Sequence, residues 1–283
     1  MSRGRALGVC LLVAVAIWVF VYKAAPKMPD FEVYWRLSAR AAHAESLYRP
    51  SDGHYQFKYL PAFAVLSIPL SWIPLATAEI LWFATSVALL VTLLALAVRL
   101  PVERRKPVRW LVVLTVLALG QFYAQELVLG QVNILFAVIA TATFLAMRSG
   151  REVSAGALVA LAIVIKPYAV LFLPWLVARR RLPSVVSACV GLAFVLALPA
   201  ALYGWEGNAA LHREWWRTVI ETTAPNLSLY DNVSLASMYF RWVGPGALSA
   251  RLAFGTAVLL LGIVTLVFIG RRGIPFPEGI EGA

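Results

Sequence analysis

The chain has 283 residues, of which 61% are hydrophobic and only 14% charged, with a mean hydropathy of +0.79. Water-soluble domains average about 45–50% apolar and about 25% charged, so composition excludes a soluble protein and leaves room for roughly eight spans of ~20 residues. The formal charge of +11 would suggest nucleic acid in a soluble chain. Here the basic residues stand in short clusters at segment ends, the pattern of cytoplasmic anchoring beside anionic lipid, which argues for membrane lipid and against nucleic acid as a partner.

In chain order, Met-Ser-Arg-Gly-Arg precedes the apolar run Leu7–Tyr22. With no small-residue cleavage site behind it, this reads as an uncleaved signal anchor with a cytoplasmic N-terminus. The polar stretch Lys23–Tyr59 follows and holds Asp30, Glu32, His43, Glu45, Asp52 and His54. Within it, Phe31, Tyr34-Trp35, Leu37-Ser38 and Ala41 have the spacing of a short helix lying at the interface. Asp30 and Glu32 read either as a catalytic base or metal-ligand pair, or as solvated acids anchoring a helix end. Residues two apart diverge on a helix, so a lone base is the more economical functional reading.

Leu60–Ile73 is apolar but short, and Pro61 and Pro69 interrupt it. It is expected either to span or to be re-entrant. Ala76–Val98 and Val108–Tyr123 flank the cluster Arg104-Arg105-Lys106. Gln121, Gln125, Glu126, Gly130-Gln131 and Asn133 then form a polar knot, whose amides either bind a sugar or join helices. Val132–Met147 precedes Arg148 and Arg151.

Val153–Ala178 carries a lone charge at Lys166-Pro167; it is one span if Leu60–Ile73 also spans, or a hairpin of two half-helices broken at Lys166-Pro167 if Leu60–Ile73 is re-entrant. A lysine in hydrocarbon costs roughly 2.5–3.5 kcal/mol, so Lys166 is a functional candidate unless it snorkels to the interface. Arg179-Arg180-Arg181, Val185–Tyr203 and the polar stretch Gly204–Pro245 come next. That second loop offers a helix from Leu211 to Val219 with Trp215-Trp216 and Arg217, then Asn232-Val233-Ser234-Leu235 and Arg241. Arg241 presents a donor fork suited to phosphate; alternatively Asn232 and Ser234 cap a helix and Arg241 anchors it.

Ser249–Ile269 is the last apolar segment, and the tail 271–283 is expected to be a disordered cytoplasmic extension. Cys10 and Cys189 fall in apolar segments and imply neither a disulfide nor a metal site. The chain has no Walker A loop, dinucleotide fingerprint, HExxH or GxSxG, which removes ATP-driven transport, redox chemistry and the familiar hydrolases. The expected architecture is all-α: one polytopic transmembrane bundle of about eight helices over 1–270, both polar loops on the extracytoplasmic face.

Asp30-Phe31-x-x-Tyr34, Leu47-Tyr48 and Phe57-Lys58-Tyr59-x-Pro61, followed by Pro69-Leu70 and Ile73-Pro74, resemble the opening of glycosyltransferase family 87. Gly130-Gln131-Val132-Asn133, Gly156 followed by Lys166-Pro167, and Asn232-Val233-Ser234-Leu235 with Arg241 resemble its later motifs in the same order. The resemblance implies a GT-C-type membrane enzyme with an extracytoplasmic site. The donor would be a polyprenyl-phosphate hexose, mannose by analogy, and the acceptor a glycolipid or glycan, with inversion and neither cofactor nor metal. In that reading Asp30 is the general base. Glu32, Tyr34, Lys58, Tyr59, Gln131, Asn133, Lys166, Arg217, Asn232, Ser234 and Arg241 surround the substrates. The rival readings are a transporter or flippase for a lipid-linked or polar substrate, and a truncated, non-catalytic member.

Overall fold

The computed structural model describes residues 18, 20, 28–101, 107–229 and 232–270. The expected signal anchor, the clusters Arg104-Arg105-Lys106 and Arg271-Arg272, Cys10, Asp231 and the tail lie outside the described residues. Those described form helices with no strand among them. They divide into two compact units between His212 and Arg213.

The first unit opens on α1 (Pro29–Ala42), the helix expected after Asp30. Pro29 stands in the first turn, where its missing N–H costs nothing. Asp30 and Glu32 complement the positive helix end, and Arg40 stands in the last turn. Its apolar face is covered by protein: Phe31, Leu37 and Ala41 are fully buried, and Phe31 stacks on Trp82. Trp35 donates from Nε1 to the Ile73 carbonyl at 3.0 Å. Arg40 grips Asp52 with two bonds of 2.6 and 2.9 Å, which holds the Asp52 carboxyl below its ordinary value. The stability from that clamp is therefore present above the ordinary carboxylate range and is lost as pH falls through the lowered value.

Leu60–Ile73 is no continuous helix. It forms α2 (Pro61–Leu66) and a 3₁₀ turn over Ile68–Trp72, in keeping with a proline at the start of each. Two long apolar helices follow, α3 (Leu75–Ala97) and α4 (Val108–Leu129). Hardly any of either is buried in protein, so most of their Leu and Val side chains face outward, where hydrocarbon would cover them.

Gly130 ends α4 in the left-handed region at φ 71°, the usual way to close a helix. The chain then enters α5 (Asn133–Arg148) and α6 (Glu152–Ile165). Of the two readings of Val153–Ala178, the structure has the broken one, with the break at Lys166-Pro167. Lys166 is extended at φ −137° and ψ 99°, because a residue before proline is driven out of the helical region. A 3₁₀ turn over Pro167–Leu171 leads to α7 (Phe172–Ala178).

α8 (Leu182–Ala197) packs along α6, where Gly156 meets it. A Cβ on Gly156 would collide with the Ser184 carbonyl oxygen, so the small residue sets the helix separation. Arg181 pairs with Glu152 at 2.7 Å, and Ser184 also bonds the Glu152 carboxylate. α9 (Ala200–Asn226) bends at Gly204 and carries the chain into the second unit.

The second unit contains α10 (Leu235–Val243) and α11 (Ala247–Gly270). Among the described residues, α3, α4 and α11 (Ala247–Val267) are long and apolar enough to cross a membrane. α8 with Ala200–Thr222 of α9 makes a fourth if the bent pair counts as one span. α5, α6 and the Pro167–Ala178 segment are apolar but shorter.

Candidate active site

A cleft of about 330 Å³ opens in the first unit between the start of α1, the Tyr55–Tyr59 connector and the broken end of α6. Asp30, Tyr34, Lys58, Tyr59 and Lys166 line it. Five of the residues singled out from the sequence, spread over 136 positions (166 − 30), thus share one wall system.

Asp30 lies in the first turn of α1. Its Oδ2 accepts from Gln131 Nε2 at 2.6 Å, and Oδ1 has no hydrogen-bond partner among the described residues. Gln131 stands in the short link after Gly130. The link is held by the Trp82 Nε1 bond to the Gly130 carbonyl at 2.9 Å and by Phe31 packing on Trp82. Gln131 Oε1 in turn accepts from Asn133 Nδ2 at 2.7 Å, and the same nitrogen donates to Glu126 Oε1 at 2.6 Å. The polar knot of the sequence is therefore an extension of the Asp30 site.

The cleft is positively charged on two sides. Burial lowers the affinity of Lys58 for its proton, and the Asp30 carboxylate opposes that effect. The Lys166 ammonium stands 5.3 Å above the Tyr59 ring, a cation–π contact, and the charges of Glu126 and Asp30 reach it. No salt bridge among the described residues engages Lys166. Tyr34 and Tyr59 share a hydrogen bond of 2.9 Å. Burial pushes the Tyr59 phenol up to about 12 and raises Tyr34 as well, so both stay neutral at physiological pH. Tyr48 holds the connector by donating to the Tyr59 carbonyl at 2.7 Å.

Glu32 is exposed and absent from the cleft wall. Its charge acts on Glu79 of α3. The two acids of the D-x-E segment therefore point to different surroundings, as helical spacing requires. No group of three or more His, Cys, Asp or Glu side chains converges as a metal site among the described residues.

The remaining candidates belong to the second unit. Arg217 is exposed on α9. Ser234 caps α10 by accepting from the Ser237 amide at 3.1 Å. Asn232 accepts from the Ser234 amide at 3.0 Å and donates to the Asn226 carbonyl at 2.8 Å. Arg241 donates to the carbonyls of Leu229 and Asn232 at 2.7 and 2.8 Å. These bonds fold the segment around α10.

The profile of glycosyltransferase family 87 matches residues 57–274, well over half the chain. The chain belongs to glycosyltransferase family 87. No curated protein and no solved structure matches it significantly. As a family 87 member it is a membrane glycosyltransferase. The match contains Lys58, Tyr59, Gln131, Asn133 and Lys166, while α1 with Asp30 precedes it. The fold brings that helix to the matched residues through the Asp30–Gln131 bond and the Phe31–Trp82 stack.

Sequence reasoning passed over Tyr55 and Gln56, which line the cleft, and left Glu126 in the knot without a role. Glu126 had a signal: it is the one carboxylate of α4, a helix long and apolar enough to cross a membrane.

Gly130 is the hinge on which this enzyme's site depends. A Cβ there would lie 2.6 Å from Phe31 Cβ and 2.9 Å from Met28 Cε, and φ is already left-handed. Since Phe31 Cβ moves only with the α1 backbone, Gly130→Ala is expected to displace Asp30. A shift of ~1 Å costs about 10²-fold in rate. Initial rates and thermal unfolding measured side by side check this: a rate near wild type in a folded variant contradicts it.

Proposed function

We propose that this enzyme transfers a hexose, mannose by the family resemblance, from a polyprenyl phosphate to a hydroxyl of a glycolipid or glycan. Transfer takes place on the extracytoplasmic face of the cell membrane, with inversion and without a metal ion or cofactor. The observation that carries the reading is a single carboxylate, Asp30, fixed by Gln131 in the wall of a cleft that also presents Lys58 and Lys166. As the acceptor oxygen bonds to the anomeric carbon, Asp30 takes the hydroxyl proton on Oδ1. The bond from that carbon to the phosphate oxygen breaks, and the polyprenyl phosphate leaves with the electron pair. Phosphate is a good leaving group that needs charge stabilisation more than a proton, and the lysines supply it. One base acting opposite the leaving group accords with inversion.

The charge pattern supports the sidedness. α6 has 14 residues and, at ~1.5 Å per residue, runs about 21 Å from Glu152 to the Lys166 break. Arg148 and Arg151 precede it, and Arg181 pairs with Glu152 at the same end. A cluster of basic residues favours a cytoplasmic position for that end, which supports an extracytoplasmic cleft.

The test is incubation of the purified protein with polyprenyl phosphate carrying labelled mannose. Transfer or release of label that survives a chelator is the expected result. No turnover with any polyprenyl-phosphate hexose, in protein that unfolds cooperatively, overturns the reading.

A further inference from the structure

Asp30 and Glu126 stand at the two ends of a file of hydrogen bonds through Gln131 and Asn133, with every junction at 2.6 or 2.7 Å. A primary amide has a donor end and an acceptor end and can present either by turning over. An ionised carboxylate only accepts. In such a file the end group dictates the orientation of every amide behind it. Glu126 accepts through Oε1, so Asn133 presents its nitrogen. That nitrogen also faces Gln131, which must answer with Oε1 and so directs its own nitrogen at Asp30. Oε2 of Glu126 is buried without a hydrogen-bond partner, so among the described residues Asn133 is its hydrogen-bonding anchor.

We propose that Glu126 is a positioning residue that fixes the polarity of the Asn133–Gln131 amide pair, so that Asp30 meets an N–H on Oδ2 and keeps Oδ1 open to the acceptor hydroxyl. This rests on Asp30 being the base. Glu126, Asn133 and Gln131 are all absent from the cleft lining, so the hydrogen bonds of the file reach substrate only through Asp30. With no acceptor at position 126, only the charge of Asp30 itself still holds the Gln131 nitrogen toward it, and the turned-over amide pair comes within reach. Gln131 Oε1 then faces Asp30 Oδ2, an approach that only a protonated Asp30 can satisfy, and a protonated Asp30 is no base. The other titratable groups around Asp30 are Tyr34 on its own helix, Lys58 and Tyr59 on the connector and Lys166 at the α6 break. Tyr168 acts on Tyr59 from the 3₁₀ turn. The charge of Glu126 reaches Tyr34, Tyr59 and Lys166, and glutamine and methionine remove it alike, so a difference between those two variants reports the hydrogen bond and not the charge.

The series Glu126, Glu126→Gln and Glu126→Met tests the inference. Glutamine keeps an acceptor oxygen and methionine has none. The acidic limb of the kcat profile is expected to move to higher pH by about one unit or more in Glu126→Met, with loss of a bond to the charged form of Asp30. Glu126→Gln should lie between, and KM for the donor should stay near wild type in both. If Glu126 acts only through its charge, removing it relieves repulsion on Asp30. The limb then moves to lower pH, equally in the two variants. That outcome, or an unmoved limb, overturns the proposal.

Carboxyl-¹³C aspartate labelling, with the Asp30 resonance assigned from Asp30→Asn, reads the same titration by NMR without catalysis. An Asp30 titration that moves up in folded Glu126→Met, in an enzyme whose Asp30→Asn variant still transfers sugar, sustains the amide file and removes Asp30 as the base. A titration that stays put while Asp30→Asn is inactive removes the file and leaves the base in place.

Discussion

Asp30→Asn is expected to lower sugar transfer by about 10²–10⁴-fold, the usual contribution of a positioned general base, while leaving the fold intact. Asparagine nearly matches aspartate in shape and can offer its carbonyl oxygen to Gln131 Nε2, so the bond that ties α1 to the Gly130–Asn133 link survives. What is lost is the second oxygen as a proton acceptor. KM for the polyprenyl donor should change little, because Lys58 and Lys166 remain in the cleft wall. Glu32→Gln serves as the comparison. Glu32 is exposed and its charge acts on Glu79, so its loss should cost less than about threefold, within the usual range of surface substitutions. Equal losses in the two variants, with activity restored by added divalent ions, would replace the lone base by a metal held between the acids. Retained activity in Asp30→Asn would remove that residue from the chemistry.

The parts of the site that were legible in the sequence are those where a local rule conflicts with its surroundings. Lys166 stood out as a charge in an apolar run beside a proline, and both the helix break and the cleft position follow from that pair of residues. Asp30 stood out as an acid at an aromatic helix start. The bonds joining them were not legible, because they depend on tertiary approach. The Asp30–Gln131 bond spans 101 positions and exists only because Gly130, lacking a Cβ, lets Phe31 come close. Leu60–Ile73 shows the limit from the other side. Its composition suits a span, yet its prolines divide it into pieces too short to cross. For Asn232, Ser234 and Arg241, cap chemistry and phosphate chemistry use the same residue types, so spacing alone could not separate them. The observed bonds include the expected cap, and Arg241 donates to backbone carbonyls.

Replacing Lys166 by methionine should separate activity from stability in opposite directions. Its neighbours Ile163, Val164 and Ile165 are buried, and a lysine placed in hydrocarbon costs roughly 2.5–3.5 kcal/mol. No ion pair among the described residues offsets that cost, and the contact above Tyr59 returns only about 0.5–2 kcal/mol. Methionine has a similar length, fills the same space and carries no charge. Lys166→Met is therefore expected to unfold at the same temperature as wild type or higher. Its kcat should fall by about 10²–10³-fold, the loss seen when a donor to developing charge is removed. The two measurements together decide the role. A variant that melts earlier and loses activity in proportion would make Lys166 a structural cation whose attraction to Glu126 and Asp30 holds the α6 break together. A variant that is more stable and catalytically poor leaves one explanation for a charge kept at that cost, which is the phosphate that departs from the sugar.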